Sequence, residues 1–226
     1  MNYVETPFLR YRFGDTSPRV LVDAVHAAPR NSDQFTGEIA DAVSKQTGCN
    51  CIIATVSRDE VDLNRSPEHS KNPQAVHQYR RTIRKILESH SLLNENGRLT
   101  EPFLHLAIHG MKDTYPRDVE IGTIYGRTCS ADVSRWLQDR FNQWAERFDN
   151  TVPRVEVDQC FRGDDSKAFH RLGDSRSYEG YGHNFHTFQI EFARWLRKDN
   201  RNRLIEVLSE AVLDFSATSD ERWNPR

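Results

Sequence analysis

Short apolar runs alternate along this chain with stretches in which apolar residues recur every three or four positions. The runs Val20–Val25, Cys51–Val56, Phe103–Ile108, Glu120–Tyr125, Arg154–Asp158 and Thr187–Phe192 predict strands. Between them, Phe35–Ser44 carries Ile39, Ala40 and Val43. Ala75–Ser89 carries Val76, Tyr79, Ile83, Ile86 and Leu87. Ala131–Phe148 sets Val133, Trp136, Leu137, Phe141, Trp144 and Phe148 on one stripe, with Ser130 placed to cap it. Arg203–Phe215 presents Leu204, Val207, Leu208, Ala211 and Val212. Strands alternating with helices predict an α/β protein: three αβα layers around a mostly parallel or mixed sheet.

Two stretches break this rhythm. Residues 57–74 are rich in Ser, Asn, Pro, His and charge, and residues 161–186 in Gly, Asp, Arg and His with no apolar period. Both read as loops, and loops of this length inside a compact domain are disproportionately functional. The chain's 226 residues suit one large domain spanning 1–226.

Charge changes the picture little. Charged residues make up 28% of the chain yet leave a net charge of −2, so no global field favours nucleic acid or an anionic membrane. The arginines Arg80, Arg81, Arg84, Arg194 and Arg197 are spread over predicted helices among acids, with no aromatic-basic motif. A mean hydropathy of −0.75 and the lack of a ~20-residue apolar run argue against a membrane span. The opening residues lack a basic-then-apolar leader pattern, so the expected location is cytoplasmic. Cys49, Cys51, Cys129 and Cys160 are too few and too irregular for a disulfide framework and read as free thiols.

Candidate chemistry gathers at strand ends. Val20–Val25 leads straight into His26, and Phe103–Ile108 straight into His109. Ligands in α/β proteins sit outside the carboxyl ends of strands, and a catalytic zinc takes three His, Asp or Glu ligands plus a water. His26 and His109 supply two nitrogens. The third ligand is expected to be a carboxylate soon after His26, with Asp33 and Glu38 as candidates. His105, four residues before His109 on the same strand face, is a further candidate ligand or ligand partner. In the last strand Thr187, Gln189 and Glu191 share one face, and a carboxylate at Glu191 aimed into a partly dry site could act as general base. Arginine forks suit carboxylates; Arg65, Arg58, Arg162 and Arg171 are the candidates, the last two being equally readable as solvated loop charges.

Five pieces in order carry a family resemblance: His26 after its strand; Ser57-Arg58-Asp59-Glu60-Val61-Asp62-Leu63-Asn64-Arg65; the strand ending at His109; Glu120-Ile121-Gly122-Thr123-Ile124-Tyr125-Gly126; and Gln189-Ile190-Glu191-Phe192-Ala193-Arg194-Trp195-Leu196-Arg197. From about residue 20 to about residue 197 the chain resembles the N-formylglutamate amidohydrolases and the related phage poly-γ-glutamate hydrolases. The resemblance implies a zinc-carboxypeptidase-like fold and a Zn2+-dependent amidohydrolase cleaving an N-acyl or γ-linked amide of an acidic amino acid. It favours Asp33, ahead of the helix-opening Thr36, as third ligand beside His26 and His109. It makes Glu191 the base, and gives Asn64 and Arg65 the substrate carboxylate, with Arg58, Arg162 or Arg171 for a second carboxylate or the oxyanion. The chain departs from the family where an acid is usual two residues before the last histidine: Ala107 stands there. A zinc peptidase or cell-wall amidase of the same fold, and a non-catalytic carboxylate-binding module, are the rival readings.

Overall fold

In the computed structural model, residues 2–174, 178–218 and 223 are described. Eight strands form one sheet: β1 (Val4–Glu5), β2 (Leu9–Arg12), β3 (Ser17–Ala24), β4 (Cys49–Ala54), β5 (Phe103–Met111), β6 (Val119–Gly122), β7 (Val155–Val157) and β8 (Phe185–Ala193). Their spatial order is β1-β2-β4-β3-β5-β8-β6-β7. The inner four, β4, β3, β5 and β8, run parallel; β2 and β6 join them antiparallel. The central strands are buried along nearly all their length, as a sheet covered on both faces requires.

Helices α1 (Thr36–Thr47), α3 (Ala131–Ala145) and α6 (Arg201–Ala217) cover one face. There Val20, Val22, Leu104, Leu106, Phe188 and Ile190 meet Val43, Leu137, Phe141, Leu208 and Val212 in a continuous apolar core. The other face packs Leu21, Val25, Ile52 and Phe103 on α2 (Pro73–Ser89) through Tyr79, Ile83, Ile86 and Leu87. Helix starts and stops follow local chemistry. Asn72 accepts from Ala75 N ahead of Pro73 at the start of α2, and Ser130 caps α3 through Val133 N as expected. The first helix ends at Gly48, whose φ of 65° suits glycine and whose N–H returns to Ser44 O.

The three-layer expectation holds, with two differences. The N-terminal β1 and β2 extend the sheet by antiparallel pairing; Leu9-Arg10-Tyr11-Arg12 alternates charge with apolar groups and does not form an apolar run. The stretch 161–186 is not all loop, because α4 (Asp165–Leu172) lies within it. That helix buries Lys167, Ala168, His170 and Arg171, so its inward face is polar and leaves no apolar stripe to read. The short α5 (Arg194–Asp199) follows β8 directly. No helix among the described residues is long and apolar enough to cross a membrane.

Candidate metal centre

The strand order reverses around β3, which has β4 on one side and β5 on the other, and that is where an α/β crevice opens. His26 lies two residues past the end of β3, and His109 near the end of β5. The segment between β3 and α1 turns back so that Asp33 N donates to His26 O at 2.9 Å and Asp33 O accepts from Thr36 at the helix start. This brings three buried donors together. Asp33 Oδ2 lies 3.3 Å from His26 Nδ1 and 3.3 Å from His109 Nδ1. The ligand atoms of His26, Asp33 and His109 all fall within 4.8 Å of one another.

The chemistry of this donor set fits a divalent cation. Burial pushes His109 down to about 4, leaving its imidazole neutral, the form that ligates. Burial raises Asp33, but the hydrogen bonds of His109 and His26 outweigh it and hold the carboxylate ionised. The far nitrogen of His26, Nε2, is held by Asp62 Oδ1 at 2.8 Å, so the ring is fixed with Nδ1 facing inward. Zinc's preference for two imidazoles and a carboxylate with an open position is met by these three side chains.

Glu191 reaches the same place through sheet register. In the parallel pairing of β5 with β8, His109 stands opposite Glu191 and His105 opposite Thr187. The two site residues are therefore lateral neighbours on one face, roughly 4.8 Å apart in backbone. Burial, reinforced by the Asp33 charge, raises Glu191 to about 8. Gln189, two residues earlier on the same face, donates to Glu191 Oε1 at 3.2 Å and accepts from Asn64 Nδ2 at 3.1 Å.

A cavity of about 310 Å³ opens over these groups, and Arg58, Asn64, Arg65, Cys160, Phe161 and Asp164 complete its walls. Arg58 approaches Asp33 Oδ1 at 3.5 Å. Arg65 donates to Asp164 Oδ2 at 2.9 Å and lies 3.5 Å from Asp62 Oδ2. Asn64 is buried, with Oδ1 lacking a hydrogen-bond partner. The Cys160–Phe161 wall is anchored by Glu120, whose Oε1 accepts both backbone N–H groups at 2.6 and 2.5 Å. It crosses so close to β6 that a Cβ on Gly122 would sit 2.4 Å from Phe161 O. Gly110 is similarly constrained. A Cβ there would meet the Arg197 guanidinium carbon at 2.3 Å, where Arg197 donates to the carbonyls of Phe192, Gln34 and Met111.

Several candidates stand elsewhere. Glu38, the alternative third carboxylate, is exposed on α1 and pairs with Arg201. His105 is buried away from the three ligands: Nε2 meets Asp23 Oδ2 at 2.9 Å and Nδ1 meets Thr187 Oγ1 at 2.8 Å, with Tyr79 also donating to Asp23. Arg162 is exposed and lies over Tyr125, donating to its hydroxyl at 2.7 Å. Arg171 does not line this cavity; it sits at the far end of α4 beside Phe185 and His186. The sequence reading missed Lys167. It is buried on α4 with a pKa lowered by burial, against the pull of Asp23, Asp164, Asp62 and Glu191. A polar helix face gives no periodic signal, so nothing in the pattern marked it.

No protein-family profile matches the chain, and no curated protein matches it in sequence. Its fold is that of solved structures at low identity. An N-formylglutamate amidohydrolase from Ralstonia eutropha JMP134 superposes with a TM-score of 0.63 at 15% identity, covering 93% of this chain and 97% of that one. A gene product of Agrobacterium tumefaciens gives 0.54 at 16%, covering 92% and 96%. A bacteriophage poly-γ-glutamate hydrolase gives 0.52 at 15%, covering 92% and 87%. The chain thus has the fold of this group of amidohydrolase structures, as the five sequence pieces anticipated.

Proposed function

We propose that the chain is a metal-dependent amidohydrolase that cleaves an N-acyl or γ-linked amide of an acidic amino acid. The observation that carries this reading is the convergence of His26 Nδ1, Asp33 Oδ2 and His109 Nδ1 directly beside Glu191. A divalent ion held by these three side chains, zinc by the donor set, would polarise the scissile carbonyl and acidify a water. Glu191, desolvated and held high, takes the proton of the attacking water and returns it to the leaving nitrogen. A bound cation would offset the Asp33 charge and bring Glu191 down towards neutrality. Arg58, beside Asp33 and facing the cavity, is placed to stabilise the oxyanion. Arg65 and Asn64 hold the substrate carboxylate, Arg65 exchanging Asp164 for it. The low-identity fold matches to an N-formylglutamate amidohydrolase and a poly-γ-glutamate hydrolase support this substrate class.

A second reading, a peptidase or amidase taking longer peptide-like substrates, is favoured by one feature. A cavity of about 790 Å³ adjoins the first and shares Arg65 and Asp164 as walls, continuing past Ser66, Arg127 and Phe169. The deciding experiment measures metal content and then hydrolysis of N-formyl-L-glutamate, γ-glutamyl amides and short peptides. Zinc near one per chain with turnover of the first two supports the amidohydrolase; peptide turnover alone supports the second reading. A protein that binds no zinc and cleaves none of them would be left as a carboxylate-binding module.

A further inference from the structure

Arg171 is 7% exposed, yet among the described residues none of its hydrogen-bond partners is a carboxylate. One terminal nitrogen donates to Phe185 O at 2.9 Å and to His186 Nδ1 at 3.1 Å; the other reaches His183 Nδ1 at 3.5 Å. Burial lowers its pKa, and the single group acting in the opposite direction is the Cys129 thiol. A desolvated guanidinium without a counter-charge is costly, and the structure ordinarily supplies an acid for it. Here the guanidinium borders a cavity of about 600 Å³, within the range of small-molecule sites (~300–1,000 Å³).

A second, partly exposed arginine lines the same cavity. Arg98 donates through one terminal nitrogen to Glu179 O at 2.8 Å and to Gly180 O at 3.0 Å, and among the described residues it has no carboxylate partner. His183 stands exposed at the rim, while Leu99, Leu172 and Tyr181 supply apolar wall. Among the described residues, no aspartate or glutamate lines the cavity. Two arginine forks and an imidazole around an uncompensated concavity focus positive potential, and paired forks match the geometry of an oxyanion. The place is separate from the metal centre. It adjoins Asn184 at the start of β8, whereas Glu191 lies near that strand's end, roughly 20 Å further along.

We propose that this cavity is a second binding site, for a small oxyanion of carboxylate or phosphate type, held between Arg98 and Arg171 with His183 at its mouth. The assignment is independent of any activity at the metal centre, because it rests on charge and burial at the other end of the sheet.

The test is titration calorimetry of the metal-free protein with inorganic phosphate and, separately, with succinate, at ionic strength held constant with sodium chloride. Saturable 1:1 binding of either anion is expected, and which of the two binds assigns the class. Arg171→Gln is the direct variant. Arg98→Gln, which gives up only two loop carbonyls, serves where the loss of Arg171 unfolds α4. Each should weaken binding at least tenfold, while an Arg58→Gln/Arg65→Gln protein should bind as the parent does. Absence of saturable binding for both anions would overturn the assignment. So would binding that survives Arg98→Gln but disappears in the Arg58/Arg65 variant, which would put the anion in the metal cavity.

Discussion

Oδ1 of Asp62 lies 2.8 Å from Nε2 of His26, on the opposite side of the ring from Asp33. Asp62 therefore orients the ring of the proposed ligand His26, with Nδ1 facing inward, without reaching the proposed metal position itself. Burial raises this carboxylate, but the bond and charge of His26, with Asn64 N and Arg65, lower it further and keep it ionised. Removing it as Asp62→Ala should weaken zinc affinity by about 10–100-fold while leaving the other two ligands in place. Competition against a chromophoric chelator measures this; unchanged affinity would mean that the loop braces only itself.

Glu191→Gln keeps the shape of the side chain and its contact with Gln189 but removes the proton carrier. Turnover of the best amide substrate should fall by about 10²–10⁴-fold with zinc still bound near one per chain. His109→Ala, in contrast, should lose the metal and the activity together. Retention of full activity by Glu191→Gln would move the base to another residue.

Acid stability follows from two buried neutral histidines. Burial and the Arg171 charge push His186 down to about 3, and burial with neighbouring His105, Lys167 and Arg80 holds His170 well below its usual value. In the unfolded chain both titrate near ~6.5. Between the folded and unfolded values the unfolded state binds protons that the native state refuses, so stability rises with pH there and falls as pH drops below ~6.5. The limiting slope is roughly 1.4 kcal/mol per pH unit for each histidine. Urea midpoints in chelator at pH 7, 6 and 5 should decline, and His186→Gln should remove about one proton's worth of the slope. Equal slopes for the two proteins would assign the titration to other groups.

Gly110→Ala places a methyl group on a guanidinium pinned by three carbonyls. Overpacking of this kind costs typically about 1–3 kcal/mol, and here it acts one residue from His109, a proposed metal ligand. A lowered unfolding midpoint together with weaker zinc binding is expected. A midpoint matching the parent would show that Arg197 can yield.

The parts of this molecule that could be read from its sequence are those in which burial is apolar. The runs ending at His26 and His109 were legible as strands, and the pleat that puts Gln189 and Glu191 on one face is the one that sets Glu191 opposite His109 in the β5–β8 pairing. The Asp62–Arg65 loop was legible as a site, although the contact of Asp62 with His26 is tertiary and left no mark in the spacing. The choice between Asp33 and Glu38 was open on composition, and the turn back from His26 O to Asp33 N brings Asp33 inward. Arg171, a candidate beside Arg58 and Arg162 for a second carboxylate or the oxyanion, is carried by α4 along the sheet to the other end of β8. Helix α4 escaped notice because hydrophobic periodicity cannot detect a helix that buries lysine, histidine and arginine.

That polar inner face also means that α4 holds to the sheet by different means from the other covering helices. Helices α1, α3 and α6 share one unbroken apolar cluster, whereas α4 is held by hydrogen bonds of Ser166 to Asn64 O and of Arg171 to Phe185 O and by ring contacts of His170 with His105 and Phe185. Local opening should therefore be cheaper under α4 than under α1 or α6, and its amides should exchange with deuterium well before theirs. Helix α2 anchors its side of the sheet through its own apolar cluster, so the part left able to adjust is α4, which carries Asp164 at one end and Arg171 at the other.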